Sequence, residues 1–454
     1  MSKRNFILLI IVLAIATAVG LLFLYLNRPT GDVVDNGGDN NFLSNFNPFG
    51  SSKNVPPPAP TEGEDKKTPG TDEPVDTSNL QLVKVSTIPI AGYGVFMKER
   101  YVFVPEVIPG QVIAPTTDTA TPVPTTAKPA TPTAPLTEFV PALRYVERST
   151  GNIFQTFADK IDERKFSSTI IPKVYEAHFL NKGQSVVMRY LKADDKTIVT
   201  FVGALPKDQL GGDTTETNEV KGVFLPENIT DLSVDPGISR MFYLFNSGDG
   251  AIGINTNYLT DKKVQIFDSP FTEWLSQWTN PNLISLNTKP SARVPGYVYA
   301  LDPNKKTFTK ILGEINGLTT LVSPSGKLVL YGDSSLSMSV YNTETRETTP
   351  LSLNSFPEKC TWTKNNDYVF CSVPKTIVGG EFPDSWYKGE VSFSDAIWKI
   401  DIINGNTEII IDPSVAPGGE EIDGTKLALD EKEENLFFVN KKDSYLWQLK
   451  LTSN

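Results

Sequence analysis

The stretch TTLVSPSGKLVLYGDSSLSMSVYNTETRETTPLSL, residues 319–353, decides the fold. It holds four short β-prone runs in series, at 319–323, 327–331, 336–341 and 347–353. Pro324, Ser325 and Gly326 turn the chain between the first two, because proline presets φ and glycine accepts a positive one. The polar run 342–346 does the same between the last two. Four antiparallel strands that recur as a unit are the sequence mark of a propeller blade.

The unit recurs on both sides. Residues 229–270 contain DLSVDPGISRMFYLF and AIGINTNYLTDKKVQIFD, and 271–313 contain WLSQWTNPNLISLNTKP and GYVYALDPNKKTFTKIL. Residues 358–412 and 174–226 repeat the pattern, and an earlier unit at 90–157 holds YGVFM, RYVFVP and the hairpin LRYVERSTGNIFQTF. At the C-terminal end TKLALD, NLFFVN and SYLWQLKL make only three strands, while LQLVKVS at 80–86 is a spare strand ahead of the first full unit. The expectation is an all-β, seven-bladed β-propeller over 80–454, closed by N- and C-terminal strands, which leaves no open sheet edge. The rival arrangement is two stacked sandwich domains, for which matched four-strand units have no need.

Ahead of the propeller, residues 6–26 (FILLIIVLAIATAVGLLFLYL) carry no charge, and a helix of roughly 20 such residues spans the ~30 Å hydrocarbon core. A cleaved signal peptide is the alternative, but the apolar run outlasts a usual h-region of about 7–15 residues. Lys3 and Arg4 precede it and Asp32, Asp35 and Asp39 follow, so the N-terminus is expected in the cytoplasm and the propeller outside. Residues 1–27 read as cytoplasmic stub and anchor. Residues 28–79 read as a disordered linker, too poor in apolar surface to offset the entropy of ordering. Its Phe42, Phe46 and Phe49 read as scattered linker aromatics.

The turns SPSG and DPNK, and hairpins of the form xYxLDxxxxK, resemble TolB-like and WD40-like β-propellers. From Arg144 onward the strings YVERSTGNI, PEKCTWTKNNDYVFCSVP and FPDSWYKGEVSFSDAIWKID are similar to an uncharacterised family of single-pass, membrane-anchored bacterial proteins. That resemblance implies an architecture and brings no activity with it.

Inventory narrows the chemistry. The 454 residues carry a net charge of −11, which argues against a nucleic-acid partner, since phosphate binding needs concentrated lysine and arginine. With two cysteines and one histidine, zinc sites and Ser–His or Cys–His relays lack their parts. GDGAIG at 248–253 has the spacing of a dinucleotide-binding turn, but a β-hairpin follows where a helix is required. His178, on the first strand of its blade, reads as packed or channel-facing. The Pro/Thr-rich stretch 105–137 reads as a solvated insertion loop between the second and third strands of its blade, either glycosylated or inert.

The candidate binding patch comes from an insertion, KTIVGGEFPDSWYKGEVSFSD at 375–395, and from the next inter-blade loop, DPSVAPGGEEIDG at 412–424. Propeller topology sends both loops from the same face. Trp386 and Tyr387, with Phe382, would offer aromatic area, and Asp384, Asp395, Glu420, Glu421 and Asp423 would supply charge. Such a patch suits a polyol, a basic protein surface or calcium, whose ligands are oxygens. The competing reading packs the aromatics onto the blade and leaves the acids solvated. No cofactor is required.

Cys360 and Cys371 flank a hairpin turning at Asn365–Asn366, and pairing by constant sum places them opposite each other, within disulfide reach. The functional expectation is a non-catalytic binding or scaffolding module of the cell envelope with a protein or glycan partner. The alternative is a carbohydrate-active or other hydrolytic enzyme, which needs two carboxyls with one pKa raised by burial.

Overall fold

The computed structural model describes residues 75–76, 81–102, 136–207, 210, 218–235, 240–248, 250–257 and 262–451. The expected anchor, nearly all of the linker and most of the Pro/Thr-rich stretch lie outside these residues. Among the described residues, no helix is long and apolar enough to cross a membrane.

Seven four-stranded antiparallel sheets follow one another as blades. Blade 1 is Ile90–Tyr101, Thr137–Glu147, Ile153–Phe157 and Arg164–Ser167. Blades 2 to 6 start with Val174–Leu180, Ile229–Val234, Trp274–Asn280, Thr319–Val322 and Cys360–Trp362, and each runs outward in chain order. Blade 7 is Gly424–Leu429, Asn435–Asn440 and Leu446–Lys450, and Leu82–Lys84 completes it from the other end of the chain. Leu82 pairs with Leu449 and Lys84 with Trp447, so the ring is fastened by backbone hydrogen bonds between the two ends of the domain.

Blade 1 departs from the sequence reading. YGVFM and RYVFVP are not two strands: Ile90–Tyr101 is one strand, paired along its length with Thr137–Glu147. The joining residues Lys98, Glu99 and Arg100 contain no turn former, so the pleat runs through them. The Pro/Thr-rich stretch therefore links the first and second strands, and Arg164–Ser167 is the fourth. Val75–Asp76 also pairs with Lys160–Ile161, a contact no periodicity announced. Around Gly248, the glycine-rich hexapeptide joins Arg240–Ser247 to Gly250–Asn257 as a hairpin.

The core lies between blades. Ala91, Val146 and Ile153 of blade 1 pack on Val174, Ala177, Val186 and Met188 of blade 2. Phe242, Leu244 and Phe267 of blade 3 pack on Trp274, Trp278 and Leu286 of blade 4. At Gly92 blade 1 approaches blade 2 too closely for a side chain: a Cβ there would sit 2.0 Å from the Ala177 carbonyl oxygen.

Cys360 pairs with Cys371 in the register of blade 6, and a disulfide joins them. The turn is wider than two residues. Thr363 N–H bonds the Tyr368 carbonyl, Asn366 N–H bonds the Thr363 carbonyl, and Asn366 has φ 66°. A four-residue loop keeps the same pair sum as a two-residue one, so the register is unchanged.

Candidate functional site

The first strand of each blade lies nearest the axis, where neighbouring first strands meet. Their polar side chains line an axial cavity of about 600 Å³. Blade 2 contributes Glu176 and His178, blade 3 Asp231, blade 4 Ser276 and Gln277, blade 5 Thr320 and blade 7 Lys426. Glu358, just before blade 6, and Tyr387 of the insertion complete this wall.

Each group is held. Glu176 Oε2 accepts from Arg189 Nη1 at 2.5 Å, and its Oε1 lies 3.0 Å from His178 Nε2. Arg189, 5% exposed, also donates to the Ile229 carbonyl. Burial alone would raise the Glu176 pKa, but the hydrogen bond from His178 and the charges of His178, Arg189 and Lys426 hold the carboxyl well below the usual range. Asp231 accepts from the Ser276 N–H at 2.7 Å and its hydroxyl at 2.6 Å. Burial dominates there and pushes its pKa up to about 6. Glu358 accepts from the Tyr387 hydroxyl at 2.5 Å, and burial pushes it up to about 7. Lys426 faces the cavity, and the protein around it withdraws its ammonium from bulk solvent and lowers its pKa. Its Nζ donates to the Ala91 carbonyl at 2.9 Å, and Tyr93 of blade 1 donates to the Lys426 carbonyl, which locks blade 7 to blade 1 beside the cavity.

The aromatic residues of the insertion pack down onto the propeller. Phe382 and Trp386, expected to be exposed, are buried at 5% and 4% against Phe356, Phe393 and Leu336. Tyr387 is half-buried on the channel wall. The single helical turn Asp384–Tyr387 is pinned from three sides. Asp384 accepts from the Ala292 N–H at 2.6 Å, Lys441 donates to the Trp386 carbonyl at 2.8 Å, and Trp386 Nε1 donates to Asp423 at 3.0 Å.

The two loops do adjoin, but their acids divide by burial. Asp395 and Asp423 have no exposed surface beyond 1% and share the fully buried Lys359, at 2.7 Å each. Burial raises Asp395 to about 6, while Lys359 outweighs burial at Asp423 and holds it low. With an ammonium between them, these two carboxylates do not fit calcium. Among the described residues, no cluster of three or more His, Cys, Asp and Glu is arranged to hold a metal ion. Glu420 and Glu421 sit at the surface, ion-paired to Lys84 and Lys442. Of the residues singled out in these two loops, only Tyr387 lines the axial cavity.

The channel residues were missed, apart from His178 and Tyr387. A local trace was present, ionisable side chains inside the first strands of blades 2, 3 and 7, in VYEAHFL, ITDLSV and GTKLAL. Withdrawing such groups from water is costly, so several converging on one cavity mark it for attention.

No family model matches the chain. No curated protein matches it either. Among solved structures, an oligogalacturonate lyase from Vibrio parahaemolyticus is similar at 8% identity and TM-score 0.47, covering 69% of this chain and 86% of that one. A functionally unknown protein from Desulfotomaculum acetoxidans is similar at 11% identity and TM-score 0.41, with 68% and 89% covered. An oligogalacturonate lyase in complex with manganese follows at 9%, 0.41, 69% and 86%. The propeller assignment rests on the strand pairing of this chain.

Proposed function

We propose that this chain is a non-catalytic binding propeller of the cell envelope, anchored by residues 6–26 with the propeller outside the cytoplasm, and that it takes a hydroxyl-rich partner group, such as a glycan end, into the axial cavity. The carrying observation is the convergence of Glu176, Asp231, Glu358 and Lys426 from separate blades on one cavity, with Ser276, Gln277 and Tyr387 among them. Donors and acceptors of both signs on rigid strands recognise hydroxyl groups without a large ordering cost. The resemblance to anchored bacterial proteins supports the location. The test is binding of the full-length chain, in detergent, to an immobilised glycan panel. Asp231→Asn combined with Lys426→Ala should abolish a captured signal in protein that still shows a cooperative melting transition. A folded double variant that captures the same glycans puts the binding surface elsewhere.

A hydrolytic reading draws on a different observation, the two carboxyls pushed up to about 6 and about 7 at Asp231 and Glu358. An acid that keeps its proton near neutrality is what a general acid requires. Hydrolysis of aryl glycosides that vanishes in both Asp231→Asn and Glu358→Gln would establish it. An inactive wild-type chain that still binds glycans excludes it for those substrates.

A further inference from the structure

One acid of the axial cavity has no counter-charge. Glu358 sits in the short helix Pro357–Lys359 and lines the cavity with Tyr387. Its Oε1 accepts from the Tyr387 hydroxyl at 2.5 Å, and its Oε2 accepts from no described residue. No described lysine, arginine or histidine forms an ion pair with it. The adjacent Lys359 is held by Asp395 and Asp423 at 2.7 Å each. Elsewhere on the wall, Arg189 and His178 meet Glu176, Glu273 meets Lys289, and the charge of Lys426 acts on Glu176. Asp231 has no ion pair either, but it lies in the field of Arg189. We infer that Glu358 receives a primary ammonium group of the ligand, so that the cavity takes an amino sugar. This rests on the glycan-binding role proposed for the cavity and names the class of sugar.

Glu358 is a fixed acceptor. Lys359 next to it is buried between two carboxylates, and Tyr387 belongs to the helical turn that Asp384, Lys441 and Asp423 hold. Withdrawing a carboxylate from water without a cation is costly, and burial pushes this one up to about 7. An ammonium at Oε2 brings the missing charge and a donor together.

Further acceptors line the same cavity. Asn287, in the second strand of blade 4 (Leu283–Thr288), is 7% exposed. Its Nδ2 donates to the Leu318 carbonyl at 2.9 Å, and its Oδ1 has no partner among the described residues. Asp231 takes both bonds from Ser276 on Oδ2, which leaves Oδ1 to a ligand. A buried acceptor left unpaired is costly, so both favour a ligand rich in donors. A lysine side chain would satisfy Glu358 alone. A sugar carrying an amine together with hydroxyl groups satisfies Glu358 and these acceptors, in a space of about 600 Å³ that suits a small ligand.

The test is calorimetric titration of the full-length chain in detergent, at neutral pH and physiological ionic strength. The probes are a β-1,4-linked glucosamine tetrasaccharide and cellotetraose, which carries a hydroxyl in place of each ammonium. The amine form should saturate and bind about 10–100-fold tighter, the worth of one charge-assisted hydrogen bond. This comparison needs no variant. Glu358→Gln keeps an acceptor for Tyr387 and should erase the preference, bringing the amine form to the affinity of cellotetraose. Glu408→Gln, exposed on the outer strand of blade 6, should leave the preference intact, which separates the site from general attraction of a cation to a chain of net charge −11. Cellotetraose bound as tightly as the amine form overturns the ammonium site and keeps the glycan role. A preference that survives Glu358→Gln in folded protein overturns it as well. Saturable binding of trilysine without binding of either sugar overturns the sugar class. No saturation by any probe overturns the inference, and the immobilised panel then judges the wider glycan role separately.

Discussion

Lys359 and Asp423, 64 positions apart in the chain, meet at 2.7 Å where neither has any contact with water. Asp395 meets the same ammonium at 2.7 Å, so one lysine ties the short helix Pro357–Lys359 ahead of blade 6, the end of the insertion and the entry of blade 7 together. Trp386 and the Phe393 N–H complete the shell of Asp423. Removing one partner of a buried pair strands the others. Lys359→Met should therefore destabilise the propeller by about 3–5 kcal/mol in urea unfolding. A loss below about 1 kcal/mol would mean that water enters and solvates the two acids.

Trp386→Ala tests the same clamp from its apolar side. The indole stacks on Phe356 at 4.7 Å between ring centres and is 4% exposed. Emptying a site of this size costs about 3–5 kcal/mol. A marked fall in the melting temperature is expected. An unchanged melting temperature would return the side chain to the surface role first expected of it.

How much of this was legible follows from the kind of interaction involved. Blade 5 was readable because its turns are local: Gly326 has φ 76° and Arg346 φ 63°, at the two places where the sequence changes from alternation to polar residues. The Cys360–Cys371 register was readable because both strands and their turn lie within a dozen residues. The state of Trp386 was not readable. Its partners Phe356 and Asp423 lie 30 or more residues away, and nothing local separates an aromatic that stacks on a distant ring from one that waits for a ligand. The axial cavity showed in the sequence only as separate ionisable residues within strands, because Glu176, Asp231, Glu358 and Lys426 become neighbours only when the ring closes. The break in blade 1 failed for a third reason. The runs YGVFM and RYVFVP were separated at Lys98 and Glu99, which have no preference for turn geometry and stay in the pleat.

The closing strand carries its own prediction. Leu82 packs with Leu436, Phe438, Trp447 and Leu449, and Val85 packs with Tyr145 and Leu446. A chain that starts at residue 88 loses both side chains, worth about 1.5–3 kcal/mol each in burial. It also leaves Leu446–Lys450 as an unpaired edge. Lower thermal stability and concentration-dependent aggregation in light scattering are the expected results. Unchanged melting would show that the ring does not depend on this fastening.

The disulfide spans 11 positions, so the chain-entropy gain is on the order of 2–3 kcal/mol. Cys360→Ala with Cys371→Ala should lower stability by about that amount and still fold, because both positions lie within the packed core of blade 6. Two free thiols in protein isolated without reductant would contradict the bond.

The anchor reading has a topological test. Protease added to intact cells should remove the propeller and leave a short membrane-bound fragment, as the positive-inside rule requires for Lys3 and Arg4. Complete protection would place the propeller on the cytoplasmic side. Release of intact propeller without added protease would indicate a cleaved leader.

The axial cavity sets a pH dependence whose sign follows from Glu358. Its folded-state carboxyl keeps a proton up to about 7, whereas in the unfolded chain it releases it near the ordinary glutamate value of 4.5. Between those values the folded state binds more protons, so stability falls as pH rises through the window. Asp231 acts in the same direction between 3.8 and about 6. Glu358→Gln removes the first contribution and leaves the second. Urea midpoints at acid, near-neutral and mildly alkaline pH should show wild type losing stability relative to this variant, by on the order of 1–3 kcal/mol across the window. The Tyr387 hydroxyl remains able to donate to the glutamine oxygen, so the wall geometry is retained. If the two proteins lose stability in parallel as pH rises, Glu358 ionises freely in the channel water, and the hydrolytic reading loses its proton donor.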